Sequence, residues 1–479
     1  MKEHYDAIII GSGQNGLAAA IRLQQKGLST LVVEAAGTPG GATRTQELTL
    51  PGFRHDVGSA IHPLGVDSPF FKTLPLHEHG LEWIYPEVAF AHPFSDGTAI
   101  GAYTDIEKTA AQMGSDEKAY KALFGELLSQ WPHIHEDLLG PLGIPSNPLQ
   151  FASFGLKALL PAKDLVDLYF KEEKTKLFFY GAAAHSTLPL TTPASASFGL
   201  VLVTIAHKLG WPFPKSGAVK IIDALISYYK SLGGNITLDF PVKNINELPK
   251  ASSYIFDLTP KQLLAIEGTN FPWLYRKRME KYKYGAGIFK MDWALNEPIP
   301  FKNEVCRKAG TIHFGFSRRE IELSEKVIKH NGIVKEPYVL LAQHTPFDAS
   351  RAPDGKHTAW AYCHVPHGSN LDMTEEMENQ IEKAAPGFKD CILARSTHNT
   401  SQMEAFDSNL VGGDVNGGRQ DLSQMFTRPV TRLSPYSTPN PDIYICSAST
   451  PPGGGVHGMG GFHAAEKVIR DHFPDIKEN

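Results

Sequence analysis

At 479 residues the chain exceeds the size at which a single hydrophobic core keeps growing, so about two or three domains are expected. Hydrophobic residues make up 42% and charged residues 20%, an ordinary globular balance, and no stretch reaches the ~18 uninterrupted apolar residues of a membrane span, so no integral membrane segment is expected. The net charge of −5, with no basic tail, excludes the electrostatic footprint of a nucleic-acid binder.

The chain opens with YDAIIIGSGQNGLAAAIRLQQKGLSTLVVEA, Tyr5 to Ala35, which reads as strand, glycine turn, helix, strand. Ala7 to Ile10 is a continuous apolar run suited to a strand buried on both faces. It feeds into Gly11, Gly13 and Gly16 in the G-x-G-x-x-G order. Gly11 can make the tight turn, Gly13 presents no side chain to a pyrophosphate, and Gly16 lets the helix lie close on the strand. The helix N-terminus then offers unpaired N–H groups and the positive end of its dipole to the phosphates. Leu28 to Val33 forms the next strand, and Glu34 at its end is placed to accept from a ribose hydroxyl. This first strand begins within about six residues of Met1, which leaves no room for a signal or transit peptide if Met1 is the native start, and a cytoplasmic location is then expected.

A second glycine pair, Gly40 and Gly41, follows at once, with Arg44 in the same loop and a small-residue turn from Asp56 to Ser59. The pair argues for a long dinucleotide lying across the domain. From Pro69 to about Lys215 amphipathic helical stretches alternate with proline-rich joints, and their apolar residues can wall a pocket for a greasy ligand. His185 and His207 invite a proton-carrying role there, but no partner acid or metal-ligand spacing is in view.

Alternating α/β character returns from Ser216 to Pro260: a helix at Ala218 to Leu232, then strands at Ile236 to Phe240, Val242 to Ile245 and Tyr254 to Leu258. Such a return is what a discontinuous Rossmann domain needs to complete its sheet. Strand-like runs GAGIFKMDWAL, GTIHFGF, YVLLAQHTPF and HTAWAYCHVP follow, with a helix at Met373 to Ala385, and predict an antiparallel substrate-domain sheet. Lys290, Asp292 and His364 are its polar residues most open to a functional reading. The C-terminal part carries Gly412, Gly413, Gly417 and Gly418, a strand at Ile443 to Cys446, Gly453 to Gly455, and a helix starting near Gly461. Small residues there permit close packing against a flat ring system. Cys306, Cys363, Cys391 and Cys446 are far apart, with no C-x-x-C pair, so reduced thiols and no metal are expected.

The motifs PGGATRT, DVGSAIHPL, AAAHS, GWPFP, GGDVNGG and CSASTPPGGGVHGMGGFHAA resemble the phytoene desaturase-related group of FAD oxidoreductases, within the carotenoid desaturase and amine oxidase superfamily. More narrowly they resemble the branch labelled pyridine nucleotide-disulfide oxidoreductase domain-containing protein, although no redox dithiol and no second G-x-G-x-x-G is present. The resemblance implies an α/β fold: a discontinuous Rossmann-type FAD-binding domain (1–68, 214–262 and 410–479), a helical cap region (69–213) and an inserted substrate domain with an antiparallel sheet (263–409). It implies FAD as cofactor, held by Gly11, Gly13, Asn15, Gly16, Glu34, Ala35, Gly41, Ala42, Arg44, Gly58, Ser59, Val242, Gly455 and Met459. Val242 corresponds to the position that touches the adenine region through its backbone, and Asp257-Leu258-Thr259-Pro260 loosely matches the strand-end N-A-D-P turn.

The expected activity is removal of hydrogen from an apolar, isoprenoid or lipid-like substrate by hydride transfer to flavin. His457 and His62 are the catalytic candidates, with proton relay, a flavin hydrogen bond or covalent flavin attachment as roles and a structural hydrogen bond as the alternative for His457. Two other functions stay open: an amine-oxidase-like enzyme acting on a small amine, and a flavin-bound scaffold with little turnover. The apolar helices between about Phe151 and Leu209 suggest a homodimer contact, with a peripheral membrane contact as the other option.

Overall fold

The computed structural model describes residues 3–327 and 334–476, with no side-chain description for Val327. The first strand, β1 (His4–Ile10), lies at the centre of a five-stranded, all-parallel sheet. The strand order is Ile443–Ile445, Lys250–Phe256, β1, β2 (Thr30–Val33) and Asn235–Thr237. Ala7 and Ile9 point to one face, where helices α1 (Gln14–Gln25), Val219–Ser231 and Met459–His472 pack. Ile8 and Ile10 point to the other, against Pro260–Ala265 and Trp273–Glu280. Burial on both faces explains why the strand reads as an unbroken apolar run. The last helix lies so close on α1 that a Cβ at Gly461 would stand 1.8 Å from the Asn15 carbonyl oxygen. The chain's two ends therefore meet on one nucleotide-binding sheet.

A second sheet has seven strands among the described residues, in the order Ile392–His398, Gly287–Leu295, His357–Val365, Val339–Ala342, Ala309–Phe314, Val88–Pro93 and Ala99–Gly101. Period-two alternation sorts its residues. Phe289, Met291 and Trp293 join a core that includes Met377 and Ile381 of helix Thr374–Ala384. Ile288, Lys290 and Asp292 face the opposite way, beside Trp360 and Tyr362 of the paired strand.

Several local expectations need correcting. The stretch 69–213 is not wholly helical, because Val88–Pro93 and Ala99–Gly101 belong to the seven-stranded sheet. That sheet is also not wholly antiparallel, since Val88–Pro93 pairs parallel with Ala309–Phe314. Val242 to Ile245 forms no strand: the chain makes an isolated bridge from Asn244 to Glu267 and a 3-10 turn at Ile245–Glu247. The Asn244 side chain accepts from the Asn246 amide, and this local bond favours the turn over a ladder.

Candidate functional site

A cavity of about 770 Å³ runs from the glycine turn after β1 to the face of the seven-stranded sheet that carries Ile288, Trp360 and Tyr362. Its upper end is built from loops that hold one another in place. Gly11 has φ +105, open to glycine but strained for other residues, and delivers the chain into α1. The N-cap residue of α1, Gly13, has no side chain to cap it, so the amides of Gln14 and Asn15 stay available to an anion, while that of Gly16 is met from elsewhere in the chain. Glu34 fixes the turn from the end of β2: Oε2 accepts from the Ser12 amide at 2.9 Å and from the Ser12 hydroxyl at 2.6 Å. Ser12 Oγ in turn accepts from the Gly40 amide at 3.1 Å. The second glycine loop is thereby tied to the first, and a Cβ at Gly41 would stand 3.4 Å from the Gly13 Cα.

The wall includes Gly11, Gly13, Asn15, Glu34, Ala35, Gly41, Ala42, Arg44, Gly58, Ser59, His62, Val242 and Gly455. Three expected site residues lie outside it. Gly16 sits behind the turn, where a Cβ would come 2.1 Å from the Gly11 carbonyl oxygen. Met459 is buried in the core beneath the parallel sheet. His457 is buried behind Gly455, and its Nδ1 accepts from the Met459 amide at 3.1 Å. That bond satisfies an orphan donor at the start of the last helix, and His457 is not part of the cavity wall. Burial pushes it down to about 4, hence a neutral ring at neutral pH.

His62 does reach the cavity. Its Nε2 lies 3.0 Å from Ser59 Oγ, while Nδ1 is buried without a partner, and burial pushes the ring down to about 4.

Sequence reasoning missed an acidic frame around the glycine turn. Asp257, at the end of strand Lys250–Phe256, accepts from the Gly16 amide through Oδ2 at 2.9 Å. Burial pushes its carboxyl up to about 7, the Gly16 bond opposes this, and Asp407 and Glu34 add to it. Asp407 also lines the cavity and is raised by burial, with Arg44 acting against the shift. Arg44 lies over the Phe406 ring at 5.0 Å, and its Nε has no partner.

Those orphans test the fit of a dinucleotide. Asn15 Oδ1, Arg44 Nε, His62 Nδ1 and Thr259 Oγ1 are buried, without a partner among the described residues, and carried by wall residues. Buried polar atoms without partners are costly, and a ligand rich in phosphate, ribose and amide groups supplies what they lack. The residues present therefore fit FAD.

The lower end is apolar and aromatic: Leu64, Phe198, Leu202, Trp211, Leu340 and Trp360 line it, with Ile288 and Tyr362. Lys290 and Asp292 lie on the same sheet face, form a fully buried ion pair and are not part of the cavity wall. His364 is likewise engaged, its Nδ1 2.9 Å from Glu325 Oε1. His207 bonds to Tyr120 at 2.7 Å and to the Tyr103 carbonyl at 2.7 Å, a satisfied core histidine. His185 lines the cavity.

The NAD(P)-binding Rossmann-like domain model matches residues 9–74. The mouse pyridine nucleotide-disulfide oxidoreductase domain-containing protein 2 is 25% identical, over 98% of this chain and 94% of its own length. The lycopene-forming phytoene desaturase of Pseudescherichia vulneris is 22% identical, over 94% of this chain and 96% of its own. Among solved structures, putrescine oxidase bound to putrescine superposes with a TM-score of 0.63 at 17% identity, covering 98% of each chain, a likeness of fold. The chain matches the phytoene desaturase-related FAD oxidoreductases along nearly its whole length, and it is an FAD-dependent oxidoreductase.

Proposed function

We propose that this protein is a desaturase- or dehydrogenase-type flavoenzyme that removes hydrogen from an apolar, isoprenoid- or lipid-like substrate. The observation that carries the reading is the continuity of the cavity: the glycine loops that suit a dinucleotide open directly onto the wall of Phe198, Leu202, Trp211, Leu340 and Trp360. When bound, FAD supplies the chemistry by accepting the two electrons and the hydrogen that leave a substrate C–H bond.

This chain's residues bind and orient. The first turn of α1, with Gly11, Gly13 and Arg44, would hold the diphosphate, and Glu34 would meet a ribose. Val242 would border the adenine, while Gly454 and Gly455 would let the ring system lie against backbone. His62 Nδ1 is the group we assign to the flavin or the substrate beside it, as a neutral hydrogen-bond partner. The aromatic end excludes water and presents the apolar substrate to the ring. The test is anaerobic mixing of the FAD-loaded protein with isoprenoid and lipid candidates, read as loss of the oxidised flavin absorbance.

A second reading, oxidation of a small amine, is favoured by one observation. Trp360 and Tyr362 meet edge to face with centroids 5.3 Å apart on the cavity wall, as two sides of a cage for a cation. Lys290 Nζ lies 5.9 Å from the Trp360 ring, its charge met by Asp292.

We also propose a homodimer and a cytoplasmic location. Leu142, Ile144, Leu149 and Leu156 are 68%, 95%, 84% and 76% exposed on neighbouring segments, which supports a shared apolar contact. Among the described residues no helix is long and apolar enough to cross a membrane. Sedimentation at micromolar protein tests the dimer: a monomer contradicts it, and recovery with anionic vesicles would point to a membrane contact instead.

A further inference from the structure

The histidines beneath the apolar end of the cavity carry a statement about the substrate. His185 stands on a 3-10 turn, Ala184–Ser186, that ends helix Glu173–Ala183. Its Nε2 lies 2.9 Å from Nε2 of His313, a fully buried residue of strand Ala309–Phe314. Among the described residues Nδ1 of His185 has no hydrogen-bond partner, and the residue lines the cavity. Both rings are held neutral: burial pushes His185 down to about 3 and His313 well below the usual imidazole value, each helped by neighbouring imidazoles.

Neutral rings joined through Nε2 need one donor and one acceptor, and the surroundings choose which. His313 Nδ1 is buried without a partner. A buried orphan N–H is rarer than an orphan lone pair, so the proton of His313 belongs on Nε2. The nearby His92 follows the same logic: its Nε2 donates to the Gly315 carbonyl at 2.9 Å, which leaves Nδ1 as a bare lone pair. His185 Nε2 is then the acceptor, and its proton sits on Nδ1, unpaired among the described residues on a residue that lines the cavity.

A second observation marks the same spot. Thr187, two residues on, is β-branched yet held at φ 55 and ψ 24, and it lines the cavity with Oγ1 3.4 Å from Asn416 Nδ2. Strain of this kind persists only where the surroundings over-determine it and gathers at ligand sites.

We propose that the substrate is an oxygenated apolar molecule, an alcohol or the matching carbonyl compound, whose oxygen accepts a hydrogen bond from His185 Nδ1. This rests on the reading of the cavity as the site of an apolar substrate and narrows it: a plain hydrocarbon leaves the donor unmet. His313 acts through His185, by fixing its tautomer.

The test uses the FAD-loaded protein, aerobic or anaerobic, and follows perturbation of the oxidised flavin spectrum on titration with farnesol and with the matching hydrocarbon lacking the hydroxyl. Wild type should bind the alcohol roughly threefold to tenfold more tightly, the range of one neutral hydrogen bond. His185→Phe should erase the preference while leaving hydrocarbon affinity in place. His185→Asn, whose amide falls near the position of Nδ1, should keep part of it. Equal binding by wild type, or a preference that survives in His185→Phe, overturns the proposal. If His185→Phe fails to load FAD, the wild-type comparison and His185→Asn still decide. If neither ligand binds a protein that holds FAD, the underlying reading of an apolar-substrate cavity fails instead.

Discussion

The carboxylate of Asp257 closes the first turn of α1, its Oδ2 2.9 Å from the Gly16 amide nitrogen. It occupies the positive end of a helix that also has to meet a diphosphate, and a Cβ on Gly13 would stand 2.7 Å from the same oxygen. Burial pushes this acid up to about 7, so it changes charge near neutrality.

FAD affinity is therefore expected to depend on pH through Asp257. Below about 7 the acid is neutral and tolerates a neighbouring diphosphate; above it the carboxylate repels one. Affinity should fall with rising pH by up to about tenfold per unit, the limit for one linked proton. Asp257→Asn keeps an acceptor for Gly16 and should flatten the profile. The apoprotein shares the sign: the folded value lies above the ordinary 3.8, so the contribution to stability is full below 3.8 and lost as pH rises through about 7. Fluorescence titration of FAD and chemical denaturation across this range check both statements.

Gly461→Ala places a methyl group 1.8 Å from the Asn15 carbonyl oxygen, where α1 and the last helix touch. Backbone cannot yield as a side-chain tip does, so a loss of about 1–3 kcal/mol or more is expected, together with reduced FAD content. Gly155, in helix Pro148–Ala158, is the control: nothing lies within 4 Å of an added Cβ, and Gly155→Ala should stabilise by about 0.5–1 kcal/mol. Thermal melts of the two variants, set against wild type, separate a required glycine from a tolerated one.

His457→Ala removes the acceptor of the Met459 amide and should cost about 0.5–2 kcal/mol, as loss of a helix cap does. Flavin reduction by substrate should keep its rate once FAD is bound. His62→Ala is expected to do the reverse, changing the flavin spectrum or its reduction with little effect on melting. Stopped-flow reduction beside a melting curve distinguishes the two histidines.

Ser12→Ala breaks the link between the two glycine loops, since the hydroxyl both donates to Glu34 and accepts from Gly40. FAD affinity should weaken by roughly thirtyfold or more, since a hydrogen bond to a charged group, about 1.5–3 kcal/mol, and a neutral one, about 0.5–1.5 kcal/mol, are lost together. Equilibrium dialysis of FAD measures it.

The sequence spoke clearly where the signal is local. The turn Gly11 to Gly16, the acid Glu34 and the loop of Gly41 and Arg44 lie within one short stretch, and each requires a residue type that little else explains. Asp257 shows in the sequence only as part of a loose strand-end match, because 241 residues separate it from the amide it holds. Asp407 carried no local signal at all. For His457 the sequence left two roles open, because a glycine-rich turn suits a close approach to flavin and a helix start equally well. The parallel pairing of Val88–Pro93 with Ala309–Phe314 was invisible for the same reason as Asp257: a strand joined from afar leaves no periodic mark of its partner. His185 was legible as a candidate, but its donor role depends on His313, a residue 128 positions away.

The most direct test of the central claim is anaerobic titration of the FAD-loaded protein with isoprenoid and lipid compounds beside small amines, followed by the absorbance of oxidised flavin. The cavity's continuity from the glycine loops to the Trp211, Leu340 and Trp360 wall predicts bleaching by an apolar compound and none by the amines. Bleaching by amines alone, or a protein that holds no FAD, would contradict it.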